Sequence, residues 1–177
     1  MKQIRTFTLF PLFIFCSVVS VVIGQSDKGP LFDQMVGDWV LQGMIGGKDT
    51  VHDVHAQWVL NHEYVELHET SREKNGSGAP SYEAIVYIAW DSKAGEYSCL
   101  WLDSTAGGAL SAEGIKRIGR GKPEGDRIPF IFNISANENL RNTFIYEKST
   151  STWQWTIDDD KAGKVEQFAK VRLTKAE

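Results

Sequence analysis

The stretches Ala84-Ile-Val-Tyr-Ile-Ala-Trp90 and Tyr97-Ser-Cys-Leu-Trp-Leu-Asp103, joined by Asp91-Ser-Lys-Ala-Gly-Glu96, decide how this chain folds. Both flanks place residues of one kind at every second position, the pattern of half-buried strands. The segment between them has the composition of a turn. Pairing Asp91 with Glu96 puts Val86, Ile88 and Trp90 on one face with Tyr97, Cys99 and Trp101. That face is wholly apolar or aromatic and is therefore the core side. A slip of one residue would turn every one of these side chains into water, so the register is strongly specified.

The same pattern spreads in both directions. Residues 50–60 and 63–70 flank Asn61-His62, which can serve as a tight turn. In that register Val59 faces Tyr64 and His55 faces His68. One face collects Val54, Ala56, Trp58, Leu60, Val65 and Leu67, and the other Asp53, His55, Gln57, Glu66 and His68. A third hairpin runs from Phe144-Ile-Tyr-Glu147 through Lys148-Ser-Thr-Ser151 to Thr152-Trp-Gln-Trp155. There Phe144 and Tyr146 share a face with Trp153 and Trp155, and the register carries Asn142 inward beside Ile157. Residues 39–45, 110–119, 127–134 and 164–173 supply further strands, and Asp158-Asp-Asp160 reads as a solvated turn before the last of them. Helical spacing occurs only over residues 30–36, where a short helix is expected. Roughly eight to ten short strands in local hairpins favour a closed antiparallel up-and-down β-barrel over a sandwich. An interior of about eight strands is either filled or able to hold one small ligand.

The chain begins with a leader. Lys2 and Arg5 precede an uncharged run from Phe7 to Ile23, and Val22 and Gly24 suit a cleavage site, which marks residues 1–24 as a secretory signal peptide. Residues 25–36 form an N-terminal segment, and 37–177 a single barrel domain. The expected location is periplasmic or extracellular, with no stable membrane insertion after cleavage. Cleavage removes Cys16 and leaves Cys99 as the only cysteine, so no internal disulfide can form. Cys99 lies in an apolar strand with no cation or histidine nearby in sequence and reads as an inert buried thiol. At 42% hydrophobic and 24% charged residues the chain is too apolar for disorder, and its net charge of −4 argues against a nucleic-acid partner.

Gly37-Asp-Trp39, opening the first strand after a short helix, resembles the G-x-W start of the lipocalin and calycin barrels. In those folds a late arginine covers the tryptophan, which implies a cation–π pair between Arg172 and Trp39 that closes the barrel. The stretch from Gly37 to Leu173 also resembles the uncharacterised DUF1579 family. The residues that carry the likeness are Trp58-Val-Leu, Tyr82-Glu-Ala-Ile, Trp101-Leu-Asp-Ser104 with Gly107-Gly108, and Phe168-Ala-Lys-Val-Arg-Leu173. The resemblance implies a lipocalin-like barrel and no established chemistry.

Candidate sites follow from the faces. Trp58, Val65, Val86, Ile88, Trp90, Cys99, Trp101, Asn142, Phe144, Trp153 and Trp155 point inward, and an aromatic lining suits a small hydrophobic or amphipathic ligand. Asn142 would either orient that ligand or bond nearby backbone. The competing reading is a filled barrel that serves as a structural or interaction protein, with protein partners unknown. An enzyme comes last, because the inward residues are almost all non-ionisable. His55 and His68, with Asp53 and Glu66, are candidate metal ligands, but they lie on the solvent face without metal-motif spacing, so no metal is expected. His52 has core-side parity and reads as a satisfied residue at the barrel end. No histidine follows His68, so the C-terminal haem ligand of nitrobindin-type barrels is missing and no cofactor is expected. The loop from Trp101 to Gly108 is a candidate rim or lid. Its Asp103 and Ser104 suit local backbone bonds better than hydrolase chemistry, since no G-x-S-x-G elbow exists.

Overall fold

The computed structural model describes residues 31–105, 110–111, 114–115 and 118–177, with backbone alone at 110–111 and 114–115. The expected leader, residues 1–24, and Gly107-Gly108 lie outside the described residues. Among the described residues twelve strands follow one another: β1 (Gly37–Ile45), β2 (Lys48–Val59), β3 (Tyr64–Ser71), β4 (Glu83–Asp91), β5 (Glu96–Asp103), β6 (Leu110–Ser111), β7 (Gly114–Ile115), β8 (Ile118–Gly121), β9 (Arg127–Ser135), β10 (Glu138–Glu147), β11 (Thr152–Lys161) and β12 (Lys164–Lys175). Ten of them close into an antiparallel up-and-down barrel in the order β1-β12-β11-β10-β9-β8-β5-β4-β3-β2, and β6 and β7 pair only with each other. Closing the ten strands removes the long edges of an open sheet, the usual hazard of an all-β chain.

The hairpin registers are those that alternation dictates. Asp91 pairs with Glu96 and Trp90 with Tyr97, His55 with His68 and Val59 with Tyr64, and Phe144 with Trp155. The inward side chains are buried, among them Val54, Ala56, Val65, Leu67, Val86, Ile88, Cys99, Phe130, Phe144 and Trp153. Burial pushes the Cys99 thiol well above the ordinary range, as an inert core sulfur requires.

Several local expectations give way. The helix over residues 30–36 is a single 3-10 turn, Phe32–Gln34, because seven residues with few backbone bonds of their own take their shape from what they pack on. The strand expected over 110–119 is split, and only β8, from Ile118, joins the barrel. Asp158, Asp159 and Asp160 are not a turn. They lie in β11, opposite Arg141, Leu140 and Asn139 of β10, and the turn falls later, where Ala162 and Gly163 take positive φ. Leu60 does not reach the core. It begins a turn in which Leu60, Asn61 and His62 all have positive φ, and it is 70% exposed.

The expected cation over Trp39 is also a different residue. Trp39 pairs with Lys175 across the β1–β12 seam, whereas Arg172 pairs with Gln42 and is exposed. Lys175 Nζ sits 3.9 Å from the Trp39 ring centroid and donates to the Val36 carbonyl at 2.8 Å. Gly37 fits this closure twice over. Its φ is +124°, and a Cβ there would lie 2.6 Å from Lys175 Nζ.

Candidate functional site

The two ends of the barrel are built differently. At one end the 3-10 turn folds into the opening. Phe32 stacks on Trp153 with ring centroids 5.9 Å apart and meets Tyr97 and Phe144 edge-on at 5.1 and 5.8 Å. Met35 beside it is fully buried. Three indoles fasten the turn. Trp39 Nε1 donates to the Met35 carbonyl at 2.6 Å, Trp58 Nε1 to Asp33 Oδ1 at 2.9 Å, and Trp153 Nε1 to the Gln34 carbonyl at 3.3 Å. Burial, with the nearby Asp33 charge, pushes the Tyr97 hydroxyl up to about 12. This end is closed and packed.

The opposite end holds a cavity of about 260 Å³, a little under the usual range for small-molecule sites. Leu41, Ile45, Trp101, Trp155, Ile157 and Val171 give it apolar walls, and its outer part reaches Lys48, Asp49, Glu73 and Phe168. Trp101 and Trp155 meet at 5.1 Å between centroids. Phe144 stacks behind Trp155 at 4.7 Å.

One stretch of this wall is polar. His52 and Glu69, 5% and 3% exposed, are joined through His52 Nδ1 and Glu69 Oε1. Both line the cavity, as does Tyr82. The Tyr82 ring lies nearly parallel to the imidazole, with centroids 5.6 Å apart, and its oxygen accepts a hydrogen bond from Trp101 Nε1 at 3.2 Å. Burial above all, helped by the Glu69 charge, raises the Tyr82 hydroxyl far above the ordinary range and keeps its proton in place. With Nδ1 taken up by Glu69, Nε2 is the ring nitrogen of His52 left for another partner.

Of the inward residues expected to line a ligand site, Trp101 and Trp155 line this cavity. Val65, Val86, Ile88, Cys99, Phe144 and Trp153 instead belong to the packed core, with Trp58 and Trp90 partly buried against it. Asn142 is buried and accepts from the Trp155 indole, rather than bonding backbone. His52 is the satisfied barrel-end residue that its parity implies, yet it also faces the cavity. Glu69 and Tyr82 were not among the expected site residues. Glu69 shares parity with Val65 and Leu67, so a carboxylate on the inner face was a signal already present in β3.

The outer histidines do not converge. His55 Nδ1 bonds Asp38 at 2.6 Å and His68 Nε2 bonds Glu83 at 2.7 Å, each half-exposed with its own carboxylate. Among the described residues no group of three or more histidine, cysteine, aspartate or glutamate side chains could hold a metal ion. In the loop after β5, Asp103 Oδ1 accepts from the Thr105 amide at 2.8 Å and Ser104 Oγ from the Glu83 amide at 3.0 Å. The first is the local backbone bond expected of a turn, whereas the second ties the loop across to the start of β4. Thr105 stands at the cavity wall. Compared with known proteins, the chain matches no family model and no curated sequence.

Proposed function

We propose that this chain is an exported, calycin-like binding barrel of the DUF1579 type that takes a small amphipathic molecule into the cavity at its open end. The observation that carries the reading is a 260 Å³ cavity with aromatic and aliphatic walls and a single buried imidazole–carboxylate pair set into them. Apolar walls supply affinity through area removed from water, and a few fixed polar groups supply orientation. A cavity of this volume suits about ten to fifteen non-hydrogen atoms, fewer than a long acyl chain or a haem would bring. Support for export comes from the basic, apolar, small-residue pattern of residues 1–24.

Native mass spectrometry of the protein, expressed with its own leader and purified gently, tests this. The expected result is an adduct of about 100–250 Da that is lost on denaturation. Titrated apolar probes should also quench tryptophan emission through Trp101 and Trp155. A bare mass, with emission unchanged by the probes, would overturn the reading. It would leave the second one, contact with another protein through the outer wall. The feature favouring that second reading is an apolar hollow lined by Leu60, Tyr64, Tyr87, Ala89, Leu100 and Ile118.

A further inference from the structure

The cavity's polar corner has a more specific consequence, which rests on the binding reading above. Tyr82 uses its oxygen to accept from Trp101, so its O–H is left to donate. His52 commits Nδ1 to Glu69, so Nε2 is the ring nitrogen left for a ligand, an acceptor when the proton of the pair sits on Nδ1. Both side chains belong to the same stretch of wall, their rings 5.6 Å apart and 19° from parallel. A hydroxyl is the smallest ligand group that can satisfy both, donating to the imidazole and accepting from the tyrosine. A carboxylate would satisfy only Tyr82 and would sit among Asp49, Glu69 and Glu73, against one lysine, Lys48. The walls then choose among hydroxyl compounds. Trp101 and Trp155 offer flat faces for an aromatic ring, and a phenol donates to imidazole more strongly than an aliphatic alcohol because it is the stronger acid.

We propose that His52 Nε2 and the Tyr82 hydroxyl together recognise the hydroxyl of a compact, neutral phenol with a short apolar substituent.

The test is calorimetric titration of the folded protein with 4-propylphenol, its methyl ether 4-propylanisole, and 4-propylbenzoate. The phenol is expected to bind at least about tenfold tighter than the ether, which lacks the donor, and the benzoate weakest. Tyr82→Phe keeps the ring against His52 and should weaken phenol binding roughly threefold to tenfold, and the ether, whose oxygen is the poorer acceptor site, by less. Equal binding of phenol and ether, or tightest binding of the benzoate, overturns this inference and leaves the binding cavity standing. Binding of none of the three overturns both. The comparison of ligands on the unaltered protein needs no variant, so the proposal stays testable if Tyr82→Phe folds poorly.

Discussion

The two ends of this barrel use the same residue type to opposite effect. At the closed end the indoles of Trp39, Trp58 and Trp153 donate to Met35, Asp33 and Gln34, drawing the chain's own N-terminal turn into the opening. At the open end Trp101 and Trp155 donate sideways, to Tyr82 and Asn142 within the wall, and among the described residues none fills the cavity in front of them. The lesson concerns what alternation can say. Strand parity decides which side chains point inward, but whether that interior is filled depends on a segment outside the strands. Phe32→Ala is the sharpest test of the difference. Removing a fully buried ring that touches Tyr97, Phe144 and Trp153 should cost about 3–5 kcal/mol in urea unfolding. Ile45→Ala, at the cavity wall and partly exposed, should cost less than about 2 kcal/mol. Equal costs would mean that the turn is a loose cover and not part of the core.

Polarity separates the ends as well. The open end buries an imidazole and a carboxylate side by side. His52→Phe leaves Glu69 buried without its partner, and breaking a pair in this way is expected to cost about 3–5 kcal/mol. The double variant His52→Phe/Glu69→Leu should return to within about 1–2 kcal/mol of the parent, because an apolar replacement of both groups restores compatible packing. Denaturant unfolding of the three proteins measures this coupling. If the single and double variants are equally stable, the carboxylate finds water through the cavity, and the wall at Glu69 is wetter than its 3% exposure implies.

Much of the architecture was legible because it rests on short-range rules. Tight turns at Asn61-His62 and between Asp91 and Glu96 fix the registers, and the apolar faces confirm them. The closing turn was not legible as such. Residues 30–36 have helical spacing, but a segment this short adopts whatever shape the barrel mouth imposes, here a 3-10 turn pinned by the nearby indole of Trp39 and the distant ones of Trp58 and Trp153. The acidic run at Asp158 misled for a different reason. Three aspartates read as solvated turn, yet β11 carries them onward as strand, with a register shift at Ile157/Asp158 that alternation cannot foresee. The candidate site was half legible. Trp101 and Trp155 follow from parity, and so would Glu69 and its diagonal approach to His52 across the β2–β3 register, but the approach of Tyr82 depends on the loop joining β3 to β4, whose path no periodicity sets.

The smallest effect expected concerns which cation closes the barrel. A late arginine over the G-x-W tryptophan is what the family resemblance implies, but parity along β12 does not allow it. Trp39 lies opposite Lys175, and Arg172, three residues earlier, falls on the other face opposite Gln42. Lys175 does the work with two contacts, 3.9 Å above the ring and 2.8 Å from the Val36 carbonyl. Lys175→Met keeps most of the stem and removes the charge, and should lower stability by about 0.5–1 kcal/mol. Arg172→Met should stay within about 0.5 kcal/mol of the parent. The reverse order would show that the closure over Trp39 is made from the other strand face after all. Because both cations lie in β12, the comparison holds strand propensity and net charge constant, and the difference between the two variants isolates the contact with Trp39 and Val36.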